Sequence, residues 1–435
     1  FQQAGGAGSV IWALLAVFLL AAMGMPLFAV IAAVAFIGFY FGGTDLIVVA
    51  INYYQLGDMS GLIAIPLFTL AGYLLGESGA PKRLVRLSNA LIGWMPGGLA
   101  VVAVVACAFF TAFTGASGMT IVAVGALLYP ALRQAGYAEN YSLGLVTSSG
   151  SLGLLFAPSL PLILYGFVAG QLGTTPGVTM KDLFLAGILP GILMLAILTM
   201  HAMWITRGQP RSTTSFDAKE LWAAVKDTGW ELPLPILVLG GIYSGKFAAS
   251  EAAAVTALYI LIVTVLIKKE IKFSKLPDVM AESMRLVGAI LVILGAALAF
   301  SGWLIDQQVP DQLFGFMSQH VHSGWVFLIL LNILLLVVGM LMDIFSAIVI
   351  LTPLLVPVAM QYGIHPVHFG IIMLANMQIG YFTPPVGMDL FIASYRFNKP
   401  FLTLVRACVP FFFLMGLAVL LITWVPELSL VFIPH

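Results

Sequence analysis

The stretch from Asn376 to Gly387 reads NMQIGYFTPPVG and lies inside an apolar segment that covers residues 367–395. Proline removes a backbone donor and clashes with the preceding turn, so two adjacent prolines end a helix. A second stretch of this kind, residues 147–161 (TSSGSLGLLFAPSLP), interrupts the apolar segment 141–168. At membrane depth, freed carbonyls are tolerated only where protein, water or an ion satisfies them. The two stretches therefore predict broken transmembrane helices that present backbone oxygens.

The composition supports a membrane location. Of 435 residues, 61% are apolar and 8% are charged, and the mean hydropathy is +1.08, whereas soluble domains have about 45–50% apolar and roughly 25% charged residues. This excludes a soluble enzyme, and apolar blocks of about 20 residues disfavour a β-barrel. Equal numbers of basic and acidic residues (18 each) suggest no nucleic-acid partner. The sequence predicts an all-α polytopic protein in a lipid bilayer, with residues 1–8 as a linker, processed end or cloning scar.

Lys and Arg placement orients the segments. We take residues 82–97 as cytoplasmic and treat 98–132 and 323–361 as helical hairpins that enter and leave on one side. All 18 Lys and Arg residues except Lys181 and Lys246 then face the cytoplasm, as the positive-inside rule requires. Full double crossings would give the same result, so the charges do not distinguish re-entrant hairpins. The carboxy terminus is external, and the side of the amino terminus stays open.

The chain contains an internal repeat. At an offset of 227 residues, five Gly or Pro positions match: Gly97 with Gly324, Pro130 with Pro357, Gly136 with Gly363, Gly153 with Gly380, and Pro158 with Pro385. The first hairpin enters from the cytoplasm and the second from outside, so the repeats have opposite orientation. Inverted repeats with broken helices are typical of secondary transporters, whose half-helix ends hold ions and substrates. No nucleotide or metal motif accompanies them, so we expect no cofactor.

Two acidic residues and one short motif allow more than one interpretation. Asp343 and Asp389 lie deep in apolar sequence, where a carboxylate costs about 3 kcal/mol unless it is partnered; either binds a ligand, or is neutralised or backbone-capped. Residues 115–118 (GASG) fit the GxSG pattern of intramembrane serine proteases, with His201 as a conceivable base. His201 is six residues from Arg207, roughly 9 Å along a helix, whereas Ser117 is expected mid-membrane, which disfavours a protease.

The chain resembles the large membrane (M) subunit of tripartite ATP-independent periplasmic (TRAP) transporters, the DctM/SiaM-like family. The resemblance covers nearly the whole chain in order, and its motifs are specific in combination. They are residues 84–86 (LVR), 96–100 (PGGLA), 157–166 (APSLPLILYG), 185–191 (LAGILPG), 250–255 (SEAAAV), 343–357 (DIFSAIVILTPLLVP), 365–373 (HPVHFGIIM) and 383–391 (TPPVGMDLF).

The resemblance implies a sodium-coupled importer of the bacterial inner membrane. A periplasmic solute-binding protein (P) would deliver a small organic acid anion, such as a C4-dicarboxylate, keto acid or sialic-acid-like molecule. A small four-helix membrane subunit (Q) would pack against this chain. A stand-alone sodium/dicarboxylate symporter of similar architecture is the alternative.

The family is understood as an elevator, which implies a division of the chain. Residues 98–206 (hairpin 98–132, broken helix 141–168) and 323–395 (hairpin 323–361, broken helix 367–395) would form the transport domain. Scaffold helices and arms would occupy 1–97 and 207–322, and a C-terminal helix 396–435.

The same resemblance assigns ligands by position. The first sodium site would use Gly115, Ser117, Gly118, Ser149, Gly150 and Gly153. The second would use Asp343, Gly380, Thr383, Pro384 and Gly387. Substrate would lie between the hairpin tips, with Ser117, Ser159, Asp343 and Asp389 as candidate contacts. Because the family often has Asn at the position of Asp389, this residue either adds a cation ligand or a proton-linked step, or stays neutral.

Overall fold

The computed structural model describes residues 7–58, 60–95, 97–206 and 216–433, and the regular structure of this part is entirely helical. The predicted linker therefore lies mostly outside the described residues, as do Arg207 and Arg211. The first five helices are α1 (Ala7–Ala22), α2 (Leu27–Gly42), α3 (Ile47–Gln55), α4 (Ala64–Glu77) and α5 (Ala80–Ile92). The next seven are α6 (Gly98–Thr114), α7 (Ser117–Thr120), α8 (Ala126–Gln134), α9 (Glu139–Ser149), α10 (Leu160–Gly170), α11 (Met180–Ala186) and α12 (Ile188–Ile205).

Eleven helices follow in the described part of the carboxy-terminal half. They are α13 (Ala218–Asp227), α14 (Pro233–Tyr243), α15 (Ala249–Leu261), α16 (Leu276–Asp306), α17 (Val309–Ser318), α18 (Gly324–Leu341), α19 (Ile344–Gln361), α20 (Pro366–Gly380), α21 (Met388–Phe397), α22 (Phe401–Trp424) and α23 (Glu427–Leu430). Within the described residues, six helical stretches are long and apolar enough to cross a membrane, or seven if the bent pair α9–α10 is one span. The prediction of a polytopic helical protein is confirmed.

One long apolar stretch of the sequence is divided. Residues 45–77 are mostly apolar, but they form α3 and α4 with 3-10 turns between them at Leu56–Asp58 and Ser60–Ile63. Gly57 and Gly61 fall in these turns, and glycine costs about 1 kcal/mol relative to alanine in a helix interior. Apolar composition alone did not show this interruption.

Both segments predicted as hairpins are interrupted in their middles. Gly115 ends α6 with a φ of +64°, and Ala116 is extended before α7. A π-helical turn over 121–125 then joins α7 to α8. In the second hairpin, Met342 is extended and the Asp343 carboxylate accepts the backbone N–H of Ser346, capping α19. Each hairpin tip is therefore a non-helical residue pair followed by a new helix start.

The repeat is visible in the helix boundaries. At the offset of 227, the continuous stretch 117–134 corresponds to α19, which covers 344–361, and the last residue of α6 corresponds to the last residue of α18. Gly136 and Gly363 follow the equivalent hairpins with φ of +87° and +79°. The two units that the glycine and proline matches indicated therefore have the same helical plan.

The two units interlock around a pseudo-two-fold axis. Helix α10 packs on α19 of the other unit, and α21 reciprocally packs on α7 and the π-helical turn. Reciprocal contacts of this kind are those of units related by a two-fold axis. At their centre the Ser151 hydroxyl donates to the carbonyl of Gln378 over 3.2 Å, and these residues are equivalent at the offset of 227. The axis therefore passes between the two helix breaks.

Helix α5 is fastened by a buried ion cluster. Arg83 is 8% exposed, and its guanidinium pairs with the carboxylates of Glu231, which precedes α14, and Glu270, which follows α15. Glu270 also accepts the backbone N–H of Gly79 over 2.8 Å. The neighbouring Arg86 makes a more exposed pair with Glu220 of α13. Two arginines one turn apart thus connect α5 to two separate parts of the chain.

We expect Arg83→Ala to lower the free energy of unfolding by about 3–5 kcal/mol, because it leaves the buried Glu231 carboxylate without a partner. The measurement is the thermal melting of the purified protein in detergent. Arg86→Ala is the matched control and should change melting little, since exposed ion pairs contribute little. Equal melting shifts for the two variants would contradict this role of the Arg83 cluster.

Candidate functional site

Both hairpin tips line one cavity of about 610 Å³. The first tip contributes Gly115, Ala116, Ser117, Gly118 and Met119, and the second contributes Asp343, Ile344 and Phe345. The second helix break adds Tyr381, and α21 adds Met388 and Ile392. The structure therefore brings the two predicted tips together around a space large enough for a small molecule.

Sequence reasoning missed the opposite wall of this cavity. It consists of Tyr73, Gly76 and Glu77 on α4 and a stripe on α16: Glu282, Leu286, Ala289, Ile290 and Ile293. The α16 residues recur at intervals of three and four, which places them on one helix face. Such a stripe is indistinguishable from core packing in sequence. Among the described lining residues the charged groups are Glu77, Glu282 and Asp343, and none is basic.

Ser117 of the first tip is in contact with Asp389, which lies behind it. The Ser117 hydroxyl donates to Oδ1 of Asp389 over 2.7 Å, and Asp389 is completely buried. Ser117 lines the cavity, whereas Asp389 does not. Of the four candidate substrate contacts, Ser117 and Asp343 face the cavity. Ser159 lies outside its lining, fully buried at the start of α10 with no partner for its hydroxyl.

An oxygen cluster lies close to the first predicted sodium site. The Thr111 hydroxyl is 2.6 Å from the hydroxyl of Thr120, 2.7 Å from the carbonyl of Gly150 and 2.8 Å from the carbonyl of Cys107. A hydroxyl has one hydrogen to donate, so it cannot satisfy all of these oxygens. Hydroxyls and carbonyls at a helix break are the ligands that transporters use for Na⁺.

Predicted and missed residues meet in this cluster. Gly150 was predicted, and its carbonyl takes part. Thr111 and Thr120 were missed, although each is a hydroxyl residue within one turn of the first tip. Ser149 is fully buried and its hydroxyl lacks a partner. Oxygens that could bind a small cation are therefore present at the first helix break.

Gly153 has a packing role. A Cβ at this position would be 2.3 Å from both the Ala108 carbonyl oxygen and the Ala112 amide nitrogen of α6. The equivalent Gly380 lies against Gly339 of α18, where a Cβ would be 2.5 Å from the carbonyl carbon. Each glycine lets a helix break approach the first helix of its own hairpin.

The second predicted sodium site has fewer free oxygens. The Thr383 hydroxyl donates to the Ile379 carbonyl over 2.6 Å, and Asp343 is engaged in capping α19. The N–H of Gly387 donates to the Met340 carbonyl over 3.1 Å, so the second break contacts the end of α18. Gly387 has a φ of +49°, and Pro384 is exposed. The structure thus gathers these residues near the second tip without a cluster like that at Thr111.

Comparison with known proteins identifies the family of this chain. A family model described as "Tripartite ATP-independent periplasmic transporter, DctM component" matches residues 14–428. The chain belongs to this DctM family. It is 35% identical over 386 residues to the C4-dicarboxylate TRAP transporter large permease protein DctM of Pseudomonas aeruginosa, covering 88% of each chain.

Two further proteins are similar to this DctM-family chain, one in sequence and one in fold. The isethionate TRAP transporter permease protein DctMQ of Oleidesulfovibrio alaskensis is 34% identical over 377 residues, which are 86% of this chain and 58% of that protein. The crystal structure of the Alcanivorax borkumensis YdaH transporter, described as an unusual topology, superposes with a TM-score of 0.62 at 14% identity. It covers 88% of each chain and shows a shared fold.

The DctM-family chain is a membrane transporter and not an enzyme. In keeping with this, Ser117 of the protease-like motif bonds to Asp389, while His201 packs among the rings of Tyr141, Trp204 and Phe411. The two members of the imagined catalytic pair therefore have other neighbours. The disfavoured protease interpretation is excluded.

Proposed function

We propose that this DctM-family permease carries a small organic acid anion into the cell, driven by sodium and dependent on a binding protein. The observation that carries the proposal is the shared cavity: both hairpin tips, the second helix break and the wall formed by α4 and α16 enclose one space. The oxygen cluster around Thr111 lies directly behind the first of these tips.

The substrate class follows from the relatives and the cavity. The two relatives are named for C4-dicarboxylates and isethionate, both small organic anions, and keto acids and sialic-acid-like molecules remain within the proposal. The described lining has no basic side chain to bind an anion. Bound sodium would add positive charge beside the tips.

The proposed movement is an elevator in which the two repeats travel together. The interlocked packing of α10 on α19 and of α21 on α7 supports treating residues 98–206 and 323–395 as one transport body. The cavity lies where this body meets α4 and α16, which belong to the proposed scaffold. Sliding at that contact would carry the cavity contents across the membrane. We propose that the hairpins are re-entrant.

The proposed setting is the bacterial inner membrane, with the carboxy terminus in the periplasm. The partners would be the small four-helix membrane subunit (Q) and a periplasmic solute-binding protein (P), as "tripartite" in the family description suggests. The isethionate relative, whose name joins M and Q, extends well beyond the part matched here.

Uptake into proteoliposomes tests the function. The chain is reconstituted with its small subunit, and labelled organic acids are supplied with or without the binding protein. We expect uptake that requires both the binding protein and an inward sodium gradient, and an equal potassium gradient should not replace sodium. Sodium-driven uptake without the binding protein would overturn the tripartite mechanism in favour of the stand-alone symporter. Uptake unaffected by sodium would overturn the coupling.

A further inference from the structure

Asp389 is a completely buried carboxylate outside the cavity lining. It is the second residue of α21, which begins directly after the left-handed Gly387. Its backbone N–H donates to the carbonyl of Tyr381 over 2.9 Å, which fixes the residue against the end of α20. The side chain is therefore held in one place between the second helix break and the first hairpin tip.

Only one of the two carboxylate oxygens of Asp389 has a hydrogen-bond partner. Oδ1 accepts the hydroxyl of Ser117 over 2.7 Å, whereas Oδ2 has no hydrogen-bond partner. In the part of the chain that the structure describes, no Lys, Arg or His forms an ion pair with it. The nearby Cys408 of α22 lies beside Thr147 and carries no charge that could compensate the carboxylate. An ionised carboxylate in such surroundings is costly unless a positive charge compensates it.

The position of Ser117 indicates the source of the positive charge that compensates Asp389. Ser117 and Thr120 are three residues apart in the same short helix, so their side chains are neighbours. Thr120 belongs to the oxygen cluster with Thr111 and Gly150. Ser117, which binds the Asp389 carboxylate, thus lies one helical turn from oxygens that already suit a small cation. The amino-terminal end of α21 supplies only a partial positive charge.

We propose that Asp389 supplies a carboxylate ligand to the coupling cation held behind the first hairpin tip. The inference rests on the proposed sodium coupling and goes beyond it, because it gives the site a full negative charge from the second repeat. The cation then joins Ser117 of one repeat to Asp389 of the other. Moving the first tip away from α21 separates two of its ligands, so tip opening and cation release are linked.

The test is sodium binding to the purified full-length chain, read as thermal stabilisation. NaCl is titrated against choline chloride at constant ionic strength, with no substrate present. Asp389→Asn keeps the size and an acceptor for Ser117 but removes the charge, and we expect its apparent sodium dissociation constant to rise at least tenfold. Asp278→Asn is the matched control, an exposed acid in the first turn of α16, and should leave sodium binding unchanged.

The titration distinguishes failure of this inference from failure of the proposed sodium coupling. If the wild-type chain is stabilised by sodium and Asp389→Asn responds equally, the carboxylate is not a ligand and this inference fails alone. If the wild-type chain does not respond to sodium, the proposed coupling itself fails.

If Asp389→Asn does not fold, infrared difference spectroscopy on the wild-type chain tests the proposal instead. A sodium-induced shift of a carboxylate band supports the proposal. A protonated carboxyl band that persists at saturating sodium would overturn it, because Asp389 would then hold a proton in place of the cation.

Discussion

Gly380→Val is expected to reduce uptake to the background of empty liposomes. A Cβ at Gly380 would be 2.5–2.8 Å from the carbonyl carbon, Cα and carbonyl oxygen of Gly339, and real Cβ atoms essentially never come that close. These are backbone atoms near the end of α18, so no side chain can rotate away. Valine would push the second helix break off its hairpin and displace Tyr381 and Thr383 from the second tip.

The control for this prediction is Gly416→Val in α22, where an added Cβ meets nothing within 4 Å. It should retain folding and uptake, measured by size-exclusion chromatography and by proteoliposome assay. Gly153→Val should fail as Gly380→Val does, since Gly153 occupies the equivalent position and approaches α6 even more closely. If Gly380→Val takes up substrate as well as the wild-type chain, α18 can move aside, and the close approach of the two helices is not required for transport.

The broken helices and hairpin turns could be predicted because their causes are local. Proline and glycine act through their own backbone conformation, so a stretch such as residues 383–387 ends a helix wherever it occurs. The repeat was predictable for the same reason, since Gly136 and Gly363 require the same left-handed turn. The division of residues 45–77 was not anticipated, because a glycine in a long apolar segment is often tolerated in a membrane helix.

The site was only partly predictable because side-chain direction depends on tertiary packing. The sequence indicated both tips but not Tyr73, Glu77 or Glu282 on the opposite wall, since nothing local shows which face of α4 or α16 meets a tip. Asp389 was expected beside the substrate, yet packing of α21 against the first repeat places it behind Ser117. The contact between Ser117 and Asp389 joins residues 272 positions apart in the chain, which a local sequence pattern does not predict.

Thr111→Val is expected to raise the apparent sodium dissociation constant at least tenfold, about 1.4 kcal/mol. Valine has nearly the shape of threonine but lacks the hydroxyl, which lies within 2.8 Å of three other oxygens. Loss of that oxygen leaves the Gly150 carbonyl and the Thr120 hydroxyl without their shared neighbour. The measurement is the sodium dependence of uptake, together with sodium-induced thermal stabilisation.

Thr256→Val separates this effect from the general cost of removing a buried hydroxyl. The Thr256 hydroxyl is also buried, but it donates only to the Ala252 carbonyl of its own helix, over 2.6 Å. Both variants should melt at slightly lower temperature without sodium, since a lost hydrogen bond costs about 1 kcal/mol. The Thr111 variant should in addition lose the stabilisation that sodium confers. Equal sodium responses in the two variants would make Thr111 a packing residue, and the cation would then be held by other oxygens at the tip.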